Sequence, residues 1–245
     1  MKIQPIIWIL IIALKAIAGQ PDGNRILQRV DANLGSENKI IVGKMIIHGR
    51  RGSRTIESKS WIRGQEQSFT EYLSPAREKG TKMLKLANQL WTYSPSTDRI
   101  IRISGHMLRQ SLMGSDLSYE DMMEDPRLHR IYRAQIIGEE TLLERPCWIL
   151  ELIARTDDIS YYKRKVWVDK KRFVGLKEKR YARSGRLLKT IEIKKISRQQ
   201  NRWLPEHMVF KDVLKKGKGT EFIFISIEFD VDIPPYIFSK AALRK

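Results

Sequence analysis

The sequence predicts a mainly-β chain with a few helices, its strands pairing antiparallel into a barrel or a strongly curved sheet. Three observations carry that prediction. From Ile40 onwards, short runs rich in β-branched and aromatic residues recur at roughly regular spacing. Turn residues separate them, at Arg51-Gly52-Ser53, Ser94-Pro95-Ser96, Ser184-Gly185 and Lys216-Gly217-Lys218-Gly219. No long helical pattern intervenes, so the strands must pair with their neighbours in sequence.

In chain order, residues 1–18 come first. A basic start, an apolar run from Ile6 to Leu14 and the small residues Ala16-Ile17-Ala18 form a secretory signal peptide with cleavage after Ala18. Nine apolar residues are too few to cross a bilayer, which takes about 20. An uncleaved anchor is the competing reading, and Lys15, which interrupts the apolar region, keeps it open. Residues 19–245 read as a single domain with no internal repeat. A short helix is expected over 22–34, where Ile26, Leu27 and Val30 share a side. Strands are expected over 40–48, 55–63, 67–73, 81–86, 89–93 and 99–104. The second half supplies 132–139, 147–154, 161–169, 173–181, 187–196, 204–213 and 221–230. Two helical insertions interrupt them, over 105–124 and 236–243. In the first, Ser118 is a candidate N-cap, with Glu120 and Asp121 in the first turn where the helix dipole favours carboxylates. Met107, Met113, Met122 and Met123 also fall there; methionine adapts to ligands of irregular shape, and equally fills gaps in a core.

The chain has 245 residues and a formal charge of +18, from 46 Lys and Arg against 28 Asp and Glu. Residues 155–218 carry 21 basic and 7 acidic side chains, so +14 of the total lies in that stretch. Its strands alternate, with Lys163 and Lys165 against Val166 and Val168, and Lys177 and Lys179 against Leu176. Such a stripe often binds nucleic acid, but an exported chain meets little of it. An anionic membrane surface or an acidic protein is the expected partner, against the alternative of an ordinary solvated face.

A single cysteine excludes a disulfide scaffold and a multi-thiolate zinc site. The four histidines, His48, His106, His129 and His207, lack metal-site spacing, and neither a nucleophile elbow nor a phosphate loop occurs. Ser36 and Lys39 match a Ser-x-x-Lys pattern only as chance would allow. No cofactor and no catalytic residues are expected; the chain reads as a binding protein.

Certain strings are more specific. They are Phe69-Thr-Glu-Tyr-Leu-Ser-Pro-Ala-Arg77-Glu-Lys-Gly-Thr-Lys-Met-Leu84, Leu90-Trp-Thr-Tyr-Ser-Pro-Ser-Thr-Asp-Arg99, Ile103-Ser-Gly-His-Met-Leu-Arg-Gln-Ser111 and Met113-Gly-Ser-Asp-Leu-Ser-Tyr-Glu-Asp121. With Lys165-Val-Trp-Val-Asp169 and Phe238-Ser-Lys-Ala-Ala-Leu-Arg244, they resemble the bacterial outer-membrane lipoprotein-sorting protein family, a branch of the LolA/LolB-like lipocarriers. The resemblance implies an unclosed antiparallel β-barrel with a helical lid on its concave side, enclosing an apolar cavity for acyl chains. It implies a periplasmic carrier that takes a lipid or lipoprotein from an inner-membrane transporter or export complex and passes it towards the outer membrane.

On that reading Leu84, Leu86, Trp91, Tyr93, Ile101, Ile103, Phe222 and Phe224 are candidate cavity walls, and Met107, Leu108, Leu112 and Met113 form the lid. A shift of strand parity by one residue would turn every wall position to the other face. The alternative function is a non-transporting accessory or sensor docked on an inner-membrane export complex. An outer-membrane barrel is disfavoured because charges interrupt both faces of 173–181 and 187–196.

Overall fold

The computed structural model describes residues 21–49 and 52–245, so the expected signal segment lies outside the described residues. Asp22 accepts a hydrogen bond from the Asn24 N–H at 2.9 Å and starts α1 (Gly23–Leu34). Six strands follow: β1 (Asn38–Gly49), β2 (Gly52–Arg63), β3 (Gln67–Ser74), β4 (Lys82–Leu86), β5 (Gln89–Ser94) and β6 (Arg99–Ile103). A segment over 104–131 contains two 3-10 turns, Gly105–Arg109 and Leu112–Gly114, then α2 (Tyr119–Met123) and α3 (Leu128–Ile131). The second run is β7 (Tyr132–Leu142), β8 (Arg145–Ala154), β9 (Lys163–Asp169), β10 (Gly175–Tyr181), β11 (Leu187–Gln199), β12 (Arg202–Asp212) and β13 (Thr220–Phe229). The expected helix over 236–243 is instead a pair of 3-10 turns, Pro235–Phe238 and Lys240–Arg244.

All thirteen strands belong to one antiparallel sheet in the order β6-β5-β4-β3-β2-β1-β13-β12-β11-β10-β9-β8-β7. Two meanders, β1 to β6 and β7 to β13, are thus fused where β1 pairs with β13. This corrects the expectation of an unclosed barrel or strongly curved sheet with a concave side: the sheet is open, is not strongly curled, and leaves β6 and β7 as its two edges. Closure needs a ladder between the edges. Here the edges are joined through the chain itself, and the start of β7 is already occupied. The Ala134 N–H donates to Asn24 Oδ1 of α1 at 2.9 Å. A Cβ on Gly23 would sit 2.7 Å from the Ala134 carbonyl oxygen, so only glycine allows the helix to come this close.

Because 104–131 runs from one edge strand to the opposite one, it must cross a face of the sheet. The segment expected to form a helical lid on a concave side is instead this crossover of short turns and two short helices over an open sheet. On the crossover face, register aligns Ile56, Met45, Phe222, Met208 and Ile193 in one row over five strands. On the opposite face, Ile40, Trp61, Phe69, Leu84 and Trp91 form a second row. α1 packs on the far end of the crossover face, burying Ile26 and Leu27 against Tyr132, Leu150, Leu152, Val166 and Val168.

Candidate functional site

The crossover face divides into three zones. Beneath the first part of the crossover, Leu112 and Leu117 are buried on Met45, Ile56, Tyr72, Met83, Leu90 and Ile103, with Met107, Leu108, Met113 and Met123 packed around them. The crossover is stitched down as it passes. Arg54 of β2 donates to the Met113 carbonyl, and Asp116 accepts from the Thr220 hydroxyl at 2.8 Å and the Asp212 N–H at 2.9 Å.

The second zone is ionic. Register places Arg164, Arg180 and Lys189 side by side on β9, β10 and β11. Three cations in one row repel one another. Carboxylates from α2 and the turn after it offset them from above. Asp121 bonds Lys189 and lies 3.2 Å from Arg180, while Glu124 bonds Arg164 and lies 3.3 Å from Arg180. Glu178, in the sheet, joins Arg164 at 2.8 Å and Arg180 at 2.9 Å. Ser118 caps α2 as its sequence suggests, with a reciprocal bond pair to Asp121, and the Tyr161 hydroxyl donates to the same carboxylate at 2.7 Å.

Arg164 is 1% exposed, so this is a desolvated network rather than a surface one. Burial alone would raise the Asp121 and Glu178 carboxyls, but the neighbouring cations outweigh it: Lys189 and Arg180 hold Asp121 below its ordinary value, and Arg180 and Arg164 do the same for Glu178. Burial would lower Arg180, yet Glu178, Glu124 and Asp121 raise it. No residue of α2 is itself fully buried. Open clefts flank it, one of about 480 Å³ reaching Tyr161 and Lys215, the other of about 510 Å³ reaching Lys85 and Leu108. Charge, more than apolar burial, holds this part of the cover in place.

The third zone is an apolar floor on β11 to β13. Ile191, Ile193 and Met208 form it, and Phe210, Phe222 and Phe224 pack there while only partly buried. Phe210 and Phe222 meet edge to face with centroids 5.9 Å apart. Pairing between β12 and β13 stops after four residue pairs, from Phe210 and Thr220 to His207 and Ile223. Beyond it lies Pro205, which has no N–H to offer a ladder.

The residues predicted from sequence therefore separate. Ile103, Met107, Leu108, Leu112, Met113 and Phe222 come together on the crossover face, with Phe224 in the adjoining floor. Ile101 lies on that face at the edge strand and is 45% exposed. Leu84, Leu86, Trp91 and Tyr93 lie on the opposite face, packed against Ile233, Phe238 and Leu243 of the C-terminal segment. Sequence reasoning missed Ile191, Ile193, Met208 and Phe210, although 187–196 and 204–213 were both read as strands. It also missed the ionic network. The one available signal was that Arg164 and Arg180 have the parity of Val166 and Glu178, not that of the half-buried lysines.

Among the described residues, no group of three or more His, Cys, Asp or Glu could hold a metal ion, and no helix is long and apolar enough to cross a membrane. Cys147 is buried, and burial raises its thiol.

A family model described as "-like: Uncharacterized protein" matches residues 64–245, most of the chain. No curated protein matches. Among solved structures, a DUF1329 family protein from Desulfovibrio piger superposes with a TM-score of 0.81 at 24% identity, covering 90% of this chain and 97% of that one. A putative outer membrane lipoprotein-sorting protein domain from Vibrio parahaemolyticus gives 0.77 at 26%, covering 91% and 98%. The LolA superfamily protein NE2245 from Nitrosomonas europaea gives 0.75 at 23%, covering 91% and 99%. The chain belongs to the family whose model it matches, and it shares its fold with the Vibrio lipoprotein-sorting domain and the LolA superfamily protein.

Proposed function

We propose that residues 19–245 act as one periplasmic carrier unit that shelters the acyl chains of a lipid or lipoprotein against the crossover face and passes them towards the outer membrane. The observation that carries this reading is the half-open floor of Ile193, Met208, Phe210, Phe222 and Phe224 beside a cover with no fully buried residue in α2. An acyl chain gains about 0.8 kcal/mol for each methylene removed from water, so a 16-carbon chain gains on the order of 13 kcal/mol. A bilayer offers nearly the same. Transfer between membrane and carrier is then close to balanced, and small movements of the cover set its direction without hydrolysis by the carrier. The likeness to the Vibrio lipoprotein-sorting domain supports the cargo class, with an inner-membrane transporter or export complex as donor. Met107, Leu108, Leu112 and Met113 serve as cover, and Ile101, Ile103, Phe222 and Phe224 as wall. Organic extraction of the purified protein followed by mass spectrometry is the test. A stoichiometric lipid is expected; repeatedly empty preparations would overturn the reading.

A further inference from the structure

The face opposite the crossover carries its own cations on the same two strands. Lys165 of β9 stands directly across from Lys179 of β10, and Lys177 across from Trp167. Their ammonium groups lie 5.1, 5.9 and 5.0 Å from the Trp167 ring, which is buried beneath them. Three cations thus converge on one indole. On the crossover face the equivalent row is offset by α2; here, among the described residues, no helix covers the row, and register sets only Glu151 across from Lys165 and Glu192 across from Lys177. The carboxylates that face the cluster are engaged elsewhere: Glu151 with Lys163 at 3.7 Å, Glu192 with Lys194 at 2.7 Å, and Glu140 with the Trp167 N–H. Among the described residues, Lys165, Lys177 and Lys179 form no ion pair.

Like charges set directly opposite destabilise a sheet unless an external anion offsets them. Two adjacent strands space these cations about 5 Å apart in one direction and about 7 Å in the other. That is a flat array on a sheet face, not a groove around a single anion. We infer that this face is where the protein docks on an anionic phospholipid bilayer, with Trp167 and the lysine stems as the apolar base under the charged heads. The docking rests on the carrier reading, because it leaves the opposite, crossover face free for cargo.

The test is co-sedimentation of the purified protein with vesicles of phosphatidylglycerol and phosphatidylcholine at low and high salt. A triple Lys165→Gln, Lys177→Gln, Lys179→Gln variant is compared with a control triple Lys79→Gln, Lys216→Gln, Lys218→Gln. Loss of roughly fivefold in binding per lysine is expected for the first triple, on the order of 100-fold together, with a melting temperature no lower than the parent's and unchanged lipid content. The control should lose far less. Equal losses in both triples would reduce the effect to net charge and overturn the proposal, as would unaltered binding in the first. Stronger binding to soluble polyglutamate than to vesicles at matched charge would overturn it in favour of an acidic protein partner. Lipid content, read separately, tells failure of docking from failure of the carrier reading.

Discussion

Two apolar patches of this sheet have similar composition and opposite fates. Around Leu84 and Trp91 the chain closes its own surface. After β13 it turns back over β3 to β5, and Ile233, Phe238 and Leu243 bury that row almost completely. Arg63 lies 4.8 Å over the Phe238 ring and Lys240 lies 4.4 Å over Trp91, so cations seal the rim. Around Phe224 the described residues place no equivalent segment, and the crossover, which packs on Phe222, is held by ion pairs over β9 to β11. Hydrophobicity alone does not separate a core from a binding surface. What separates them is whether the rest of the chain has the length and the apolar side chains to close over the patch.

The comparison can be broken most directly by placing the same charge in both patches. Leu84 is 0% exposed, and even Leu84→Ala should cost about 2–5 kcal/mol. Leu84→Arg adds an unpaired buried charge and should leave no cooperative thermal unfolding by circular dichroism. Phe224→Arg should fold with a melting transition near that of the parent and lose bound lipid. A folded Leu84→Arg protein would show that this patch is not closed.

The ionic network offers the next largest effect. Replacing Arg164 by Met takes one of their two guanidinium partners from Glu124 and Glu178, leaving both to Arg180. Removing one partner of a buried pair costs about 3–5 kcal/mol, so a large drop in the denaturant midpoint is expected. Replacing Arg164 and Glu178 together should recover part of that loss. Smaller again is Phe222→Ala. A fully buried phenylalanine costs about 3–5 kcal/mol on truncation, and this one is only partly buried. We expect a loss of about 1–2 kcal/mol in stability with a several-fold loss of retained lipid. Stability loss without lipid loss would return Phe222 to the structural core.

Much of this was readable from the sequence because it depends on local chemistry. Asp22 and the Ile26, Leu27 and Val30 stripe placed α1, and Ser118 with Asp121 placed the cap of α2. Strand 67–73 is observed as Gln67–Ser74, and 187–196 as Leu187–Gln199, because alternation and turn residues mark strands directly. The face that each strand presents was not readable. Leu84 and Ile103 look alike in sequence but point to opposite sides, and only the partner of each row decides which side is closed. The barrel expectation failed for a related reason: strand count and spacing do not say whether two edges meet. The basic stretch misled in one respect. Lys189 belongs to that stretch, yet it shares the crossover face with the apolar Ile191 rather than lying opposite it. Arg164 and Arg180 are buried because carboxylates 40 to 59 residues away in the chain, on α2 and the turn after it, come to meet them.

The finest test uses pH, since the two regions should respond differently to acid. The closed patch around Leu84 is held by apolar packing, with no carboxylate among its buried residues. The network over β9 to β11 contains Asp121 and Glu178, both held below their ordinary values of 3.8 and 4.5. A depressed carboxylate contributes stability that is complete above its unfolded value and lost as pH falls through its folded one. The pin is therefore fully formed at neutral pH and loosens only as pH drops below about 4. On the alkaline side it does not weaken, because Arg164 and Arg180 are raised above the ordinary guanidinium value and the Tyr161 hydroxyl is also raised, remaining a donor to Asp121. Asp31 at α1 works in the opposite direction: burial raises it, despite His129, so acid favours the docked helix. Hydrogen exchange at pH 7 and at pH near 3 should show protection falling in 115–125 before it falls in β4 and β5, with faster release of bound lipid. Asp121→Asn should give part of that loosening at pH 7 and flatten the remaining pH dependence. Equal loss of protection in both regions would mean that acid unfolds the sheet as a whole, and that the ion pairs do not hold the cover as a separate element.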